Sequence, residues 1–362
     1  DQSGNFVSGN FNGTWDIRPI LEKYIFSNEK ITSDSSGKYL VAEYQIKDGD
    51  VVDGDIRKAV EQSLILEEAG FYSVSLNDHF YSPLGNQRSN QLECLTAYAA
   101  IAQATESIKL VPAVLSASFR PPALLAKMIA MIDRISGGRF ITGLGAGWQD
   151  KEYIAHGYPF PSLKIRLEQL DETIQIIKEM STKSNPSFSG EHFKIKDAYN
   201  NPRPLQAKIP LMLGGSGTGL LKIAAREADI LNIIPPTGNG RDFINDNEAT
   251  LKFTMDVLKQ RISLLKNMLE KEGRTSSDVE IGGLVLLGIS ESADDIELVK
   301  LSKQLGFSDL KSAQRSPVAI LGTAEQVVKE IRQRHDNTGM SYYIFVYILY
   351  NIFLFTMQFI FI

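Results

Sequence analysis

Short apolar runs alternate along the chain with longer stretches in which apolar residues recur every three or four positions. The short runs are rich in apolar and β-branched residues and have the length of buried strands. We predict eight strands, over residues 39–45, 71–76, 108–114, 139–144, 209–213, 229–233, 279–289 and 342–346.

The stretches between these strands carry the marks of helices. Segment 162–180 begins with a serine that can cap its first turn and then repeats apolar residues with a helical period. Segment 121–138 begins with two prolines and ends with two glycines, residues that favour a helix start and a helix stop. Segment 55–70 has an apolar stripe and ends at Gly70.

Strand–helix alternation over about 300 residues predicts parallel strands joined by helical crossovers. Eight such units fit a (β/α)8 barrel, and the alternative is an open doubly wound sheet. In a barrel, the loops that follow the strands meet at one rim, where active sites of this fold lie. Residues directly after each predicted strand are therefore the candidates for catalysis and binding.

The balance of basic and acidic residues bears on the class of binding partner. The chain has 362 residues, 38 basic and 43 acidic, and a net charge of −5. This balance argues against a nucleic-acid partner, which would favour a basic stripe. The single cysteine, Cys94, cannot form an internal disulfide and indicates a reduced, cytoplasmic compartment.

The two ends differ from the middle and set the predicted domain boundaries. Residues 1–37 are an extension that we expect to be loose, and residues 38–347 form the barrel. Residues 348–362 follow as an atypical apolar tail, in a stretch from Met340 onward without a charged residue. A membrane anchor is the alternative, but what remains after the last predicted strand is too short to cross a bilayer.

A glycine-rich turn follows the fifth predicted strand. Residues 214–219 read GGSGTG, and a helical pattern comes next. Glycines let a backbone approach an anion closely, and the N–H groups at a helix start point toward it. A tight turn needs only one glycine, so four in six favour a phosphate-bearing ligand held by Gly214, Gly215, Ser216 and Gly217.

Titratable and aromatic residues follow the second and fourth predicted strands. Asp78 and His79 come directly after strand 71–76, and an imidazole there can handle protons near neutral pH. Asp78 either orients His79 or accepts an N–H group from a bound heterocycle.

After the fourth strand, Gly145 and Gly147 would let a flat group lie close to the backbone. Trp148 and His156 would line a substrate pocket. No set of residues has the spacing of a metal site.

Several segments together resemble one family. They are NDHF, SASFRPPALLAKMIAMIDRISGGRFITGLGAGWQDKEY, GYPFPSLKIRLEQLDETIQIIKEM, FSGEHFKI, PRPLQAKIPLMLGGSG, AAREADI and LGTAEQVVKEI. In this order they are similar to the bacterial luciferase-like superfamily of flavin- and deazaflavin-dependent oxidoreductases. The ending RQRHDNTGMSYYIF resembles a subgroup described as dependent on coenzyme F420.

This resemblance implies a (β/α)8 barrel that binds F420 or FMN, with F420 as our first choice. It implies that Asp78 lies near the cofactor ring and that His79 assists proton or hydride chemistry. It also implies a cofactor contact at Ser116, a non-proline cis peptide near 113–114, and a phosphate cradle at the glycine-rich turn.

The function that follows is hydride transfer between a reduced deazaflavin or flavin and a small organic substrate. An FMN-dependent monooxygenase that uses O2 is the alternative, and a barrel that only binds its ligand is another. Deazaflavin reacts poorly with O2 because a carbon replaces the ring nitrogen that flavin uses, so the two cofactors imply different reactions.

Two departures from the family pattern bear on substrate and assembly. Trp148 stands where the sugar-phosphate dehydrogenases of the superfamily carry a glutamate, which argues against a sugar-phosphate substrate. The apolar tail stands where the closing helix of the barrel belongs. Without that helix an apolar patch would be exposed, and a homodimer is one way to cover it.

Overall fold

A computed structural model describes residues 55–82, 88, 90–236, 247–292, 295–349 and 352–360. Each predicted strand from 71–76 onward coincides with an observed one, while the predicted strand 39–45 and the extension 1–37 lie outside the described residues. Among the observed strands outside the predicted ranges, the longest are those at 319–322 and 352–360.

The strands are β1 (Ser73–Ser75), β2 (Lys109–Leu110), β3 (Leu115–Ser116), β4 (Thr142–Gly145), β5 (Phe188–Ser189), β6 (Lys194–Ile195), β7 (Leu211–Gly214), β8 (Ile230–Ile233), β9 (Glu280–Ile289), β10 (Ala319–Gly322), β11 (Met340–Leu349) and β12 (Ile352–Ile360). The helices are α1 (Ile56–Glu68), α2 (Cys94–Ala104), α3 (Pro122–Ile135), α4 (Asp150–Ala155), α5 (Leu163–Thr182), α6 (Thr218–Glu227), α7 (Asn247–Lys252), α8 (Met255–Lys271), α9 (Ile296–Gln304), α10 (Leu310–Gln314) and α11 (Ala324–Thr338).

The predicted helix signals act where the sequence places them. The hydroxyl of Ser162 accepts a hydrogen bond from the Ile165 N–H and caps α5, and α3 begins with Pro122. At the other end of a helix, Gly339 ends α11 in the left-handed conformation, with φ of 75°.

The main sheet closes into a barrel. The strand order runs β2, β1, β12, β11, β9, β8, β7, β4 and β3. Its two ends, β2 and β3, belong to one extended segment, in which Val111 N–H donates to Val74 and Leu110 accepts from Ile141. This segment therefore pairs with β1 on one side and β4 on the other. The predicted (β/α)8 barrel is confirmed.

Strand β12 is the exception to the parallel pattern. It pairs antiparallel with β11 and antiparallel with β1, and so fills the gap between them. Residues 352–360, part of the segment described from sequence as an atypical apolar tail, form β12 within the sheet, and β11 ends at Leu349. An apolar, β-prone segment can satisfy the free hydrogen-bonding groups of two sheet edges at once, which explains this placement.

Two apolar layers hold the barrel. The inner layer fills the ring and consists of Val111, Ile141, Met212, Ile230, Tyr342 and Ile344. The outer, much larger cluster lies between strands and helices and includes Leu125 and Ile129 of α3 and Leu170 of α5, all fully buried. Because both faces of the strands are covered, the strands read as continuous apolar runs.

None of the helices among the described residues has the length and apolarity needed to cross a membrane. Strand β1 runs parallel to β2, β3 to β4, and β4 to β7, and β2 and β3 belong to one extended segment. Strands β1, β3, β4 and β7 therefore end at the same rim of the ring. The loops after them carry the candidate site residues.

Candidate active site

Asp78 lies at the rim directly after β1, and its carboxylate is buried. It accepts hydrogen bonds from the Ser116 N–H at 3.0 Å and from Nη1 and Nη2 of Arg120 at 2.8 Å and 2.9 Å. Arg120 also pairs with Glu93 at the start of α2. Burial would lower the pKa of Arg120, but the hydrogen bonds and charges of Asp78 and Glu93 outweigh it and raise that pKa.

His79 is oriented by a residue that the sequence analysis did not single out. Its Nδ1 lies 2.7 Å from Oε2 of Glu152, whose side chain is completely buried. Trp148 contacts the ring edge-on, with centroids 5.4 Å apart. Nδ1 of His79 thus faces Glu152, whereas the Asp78 carboxylate is engaged by Arg120 and Ser116, and a role of Asp78 in orienting His79 stays a prediction. The other predicted role of Asp78, near a cofactor ring, stays a prediction.

Ser116 and Tyr153 join the third strand to α4. The two hydroxyls share a hydrogen bond, and both side chains are buried. Burial raises the pKa of Tyr153, and the hydrogen bond with Ser116 only partly offsets this effect. Ser116 thus lies at the rim, with its N–H on the Asp78 carboxylate and its hydroxyl on Tyr153. Its contact with a cofactor stays a prediction.

His156 lies on the outer side of this group and is largely exposed. Its Nδ1 is 2.9 Å from the carbonyl oxygen of Glu152, and its ring stacks on Phe80 with centroids 4.4 Å apart. Phe80 in turn lies against Phe119 and Tyr158. His156 thus belongs to an aromatic group with Phe80, while Trp148 contacts His79, and neither is among the residues that line the cavity at this rim. Their contact with a substrate stays a prediction.

The glycine-rich turn leads from β7 into α6. Gly215 has φ of 144°, and a Cβ there would lie 2.4 Å from Leu220. Its N–H donates to the carbonyl of Asn232, while Gly217 caps α6 without a side-chain hydrogen bond. The side-chain oxygens of Ser216 and Asn232 are buried and have no hydrogen-bond partner among the described residues. Such atoms are costly unless a ligand or water satisfies them.

Gly145 and Gly147 have close neighbours within the protein. A Cβ at Gly145 would lie 2.7 Å from Val114, and one at Gly147 would lie 1.9 Å from the Tyr153 hydroxyl. These glycines let the third strand and α4 approach β4 closely. Contact between them and a cofactor stays a prediction. The peptide between Ala113 and Val114 is cis, as the resemblance implied.

A cavity opens at this rim. It is lined by Asp78, His79, Phe80, Gln91, Glu93, Phe119 and Arg120. Charged groups and aromatic rings thus share one wall, which suits a small organic molecule. Among the described residues, no group of three or more His, Cys, Asp or Glu side chains could hold a metal ion.

Several residues of the site were not predicted from sequence: Glu93, Arg120, Glu152, Tyr153 and Arg166. Arg166 is buried on α5, donates to the Gly147 carbonyl at 2.6 Å and lies 3.9 Å from the centre of the Phe160 ring. A signal existed for two of them. Glu152 lies in the segment that ends GLGAGWQDKEY, one of those that carry the family resemblance, and Arg120 directly precedes the prolines at the start of α3.

Comparison with known proteins decides the family. The sequence profile described as luciferase-like monooxygenase matches residues 39–341. The chain belongs to the luciferase-like monooxygenase family. The membership predicted from the collinear motifs is confirmed, as is the family's barrel.

Two proteins similar to this chain are named for different cofactors. The F420-dependent glucose-6-phosphate dehydrogenase of Amycolatopsis mediterranei is 30% identical over 220 residues, which are 60% of this chain and 63% of that protein. The chain thus covers less than two thirds of that relative. The FMNH(2)-dependent dimethylsulfone monooxygenase of Pseudomonas putida is 33% identical over 166 residues, 46% of this chain and 45% of that protein.

Solved structures agree on the luciferase-like fold. An F420-dependent secondary alcohol dehydrogenase in complex with an F420-acetone adduct has a TM-score of 0.66 at 19% identity, and covers 81% of this chain and 89% of its own. At this identity the likeness concerns the fold alone.

Proposed function

We propose that this luciferase-like protein transfers a hydride between the deazaflavin cofactor F420 and a small organic substrate at the mouth of the barrel. Similarity to an F420-dependent dehydrogenase extends over 220 residues, against 166 for the FMNH(2)-dependent monooxygenase. One observation carries the proposal. The His79 imidazole lies at the cavity wall and is held by the buried Glu152 carboxylate, and the glycine-rich turn lies at the same rim of the barrel.

The residues of the glycine-rich turn fit a phosphate-bearing cofactor. The Ser216 hydroxyl lacks a partner and could donate to a phosphate oxygen, beside the free N–H groups at the start of α6. The buried Oδ1 of Asn232 could accept from a hydroxyl of the chain that links ring and phosphate. Ser116, Asp78, Gly145 and Gly147 would surround the ring.

When bound, F420 supplies or accepts the hydride. The protein would handle the proton that accompanies it, and His79 is the group placed to do so. Its Nδ1 is engaged by Glu152, which leaves Nε2 for a substrate at the cavity wall. The wall residues Phe80 and Phe119 would exclude water from that contact.

Titration of the purified protein with F420 and with FMN, followed by absorbance and fluorescence, tests the cofactor. We expect saturable binding of F420 with the lower Kd. We also expect His79→Ala to keep the Kd within about threefold while turnover falls by roughly 10²–10⁴-fold, the usual contribution of a general acid or base. Absence of F420 binding, or undiminished turnover of the variant, would contradict the proposal.

An FMN-dependent monooxygenase is the second candidate, because the match to the dimethylsulfone monooxygenase reaches 33% identity. Oxygen consumption in the presence of reduced FMN discriminates the two functions. A flavin spectrum that is retained, together with substrate-dependent O2 uptake, would favour this candidate. A protein that binds a cofactor with no turnover of any kind would instead be a binding-only barrel.

A further inference from the structure

The ring of His79 and the carboxylate of Glu152 come from different parts of the barrel and meet at 2.7 Å. We propose that Glu152 is a positioning residue, which fixes His79 as the tautomer with hydrogen on Nδ1 and thereby presents Nε2 to the substrate. This inference rests on the proposed function only for its effect on turnover. The tautomer itself can be measured without cofactor or substrate.

Glu152 holds the backbone next to His79 as well as its ring. While Oε2 faces Nδ1, Oε1 accepts from the N–H groups of Phe80 at 2.5 Å and Tyr81 at 3.4 Å. The carboxylate therefore restrains both the chain on which His79 lies and the rotation of its side chain. Trp148 contacts the ring edge-on and limits its movement further.

Burial makes this arrangement specific. The Glu152 side chain is 0% exposed and that of His79 is 13% exposed, so water can barely replace either partner. An ionised carboxylate is only an acceptor, so the Nδ1 that faces it must carry the hydrogen. In the neutral ring Nε2 is then a proton acceptor, and a proton taken up there gives a cation beside the Glu152 carboxylate.

Other charged groups surround this pair. Asp78 after β1, Arg120 after β3 and Glu93 at the start of α2 line the same cavity as His79. Arg120 is shared by the two other carboxylates, so their charge is partly neutralised. Glu152 is the acid that contacts the imidazole itself.

The proton of a substrate hydroxyl would have a defined destination at Nε2. A bound deazaflavin would supply the acceptor for a hydride from the substrate carbon, and the proton of the attached O–H group would leave at the same time. That O–H bond would break as an N–H bond formed at Nε2, with the Nδ1–H bond intact, and in the reverse direction Nε2 would return the proton to the substrate oxygen.

Long-range ¹⁵N–¹H NMR of the histidine rings in the ligand-free protein tests the proposal, with His79→Asn to assign the signals. We expect hydrogen on Nδ1 of His79 in the wild type. In Glu152→Gln the side-chain amide can donate to Nδ1, so we expect a large fraction with hydrogen on Nε2. Turnover should fall at least tenfold and its pH profile should shift, while the Kd for F420 changes by less than about threefold.

Asp150→Asn is the matched control, because Asp150 lies in the same first turn of α4 and makes its hydrogen bond to the neighbouring Lys151 N–H. It should leave the His79 signals and the pH profile unchanged. A wild-type ring with hydrogen on Nε2 would overturn the proposal, whether or not Glu152→Gln folds. An unchanged tautomer in folded Glu152→Gln would also do so. Failure to bind F420 would refute only the proposed function.

Discussion

The Arg120 guanidinium forms ion pairs with two carboxylates at the mouth of the barrel. Its guanidinium makes a two-pronged contact with Asp78 and a further one with Glu93. Asp78 is thereby held in place by donors on two of its sides before any ligand binds. A cofactor that used Asp78 as an acceptor would have to fit beside this ion pair.

Gly217 offers a sharp test of phosphate binding. It has φ of −67° and ψ of 146°, and a Cβ there would have nothing within 4 Å. Gly217→Asp and Gly217→Asn should therefore fold equally well, since both residues are favourable helix caps. The aspartate would place a negative charge beside the cofactor phosphate, so we expect its Kd for F420 to rise at least tenfold over that of the asparagine variant.

Equal affinities of these two variants would show that the phosphate lies elsewhere. Gly215 is less suitable for this purpose, because any side chain there would collide with Leu220 at a φ of 144°. A loss of affinity in a Gly215 variant would report on folding as well as on binding.

Helices α5 and α6 flank the glycine-rich turn and are joined by Glu227. Its carboxylate accepts from Gln175 at 2.9 Å and pairs with Lys178 of α5 and Arg226 of α6. Burial would raise the pKa of Glu227, but the hydrogen bonds from Lys178 and Arg226 outweigh it and lower that pKa. The packing of the end of α6 against α5 therefore depends partly on this charge.

Glu227→Gln should lower the free energy of unfolding at pH 7 by about 1 kcal/mol, since Lys178 is half exposed and water weakens the attraction. The pKa of Glu227 is lower in the folded protein than in the unfolded chain. The stabilisation is therefore fully present above the ordinary pKa of 4.5 and is lost as the pH falls through the pKa of the folded protein. Urea unfolding at pH 7 and near pH 3 measures the difference, which should be smaller at the lower pH.

Glu179→Gln is the control for this prediction, because Glu179 forms only a looser pair with Lys183 on the same helix, at 3.7 Å. We expect a change of at most about 0.5 kcal/mol. A constant difference for Glu227→Gln at both pH values would assign its effect to packing.

The closure of the whole barrel depends on β12. This strand separates β1 from β11, and both would present free N–H and C=O groups without it. Since Asp78 and His79 directly follow β1, the position of the site depends on how β1 is held.

Removal of residues 352–362 should therefore expose β1 to solvent. We expect faster hydrogen exchange at Ser73, Val74 and Ser75 and a lower Tm, measured by mass spectrometry and calorimetry. Removal of 361–362 alone, which lie beyond the strand, should change neither. Unaltered exchange in the longer deletion would mean that β12 does not close the barrel.

The amino-acid sequence alone predicted the alternation of strands and helices, the rim positions of Asp78 and His79, and the glycine-rich turn. These features follow from local patterns, because apolar period, capping residues and glycines act over a few neighbouring positions. The same reasoning did not reveal which groups meet across the rim.

Glu152 lies 73 residues from His79 in the chain, and Arg120 lies 42 from Asp78. No local pattern encodes such pairs, since their contact exists only once parallel strands bring distant loops together. Strand β12 is a similar case, because an apolar segment acquires its place from the open edges it can pair with. The sequence thus determined the positions of the candidate site residues along the chain. The tertiary structure decided which carboxylate contacts the imidazole and which strand closes the barrel.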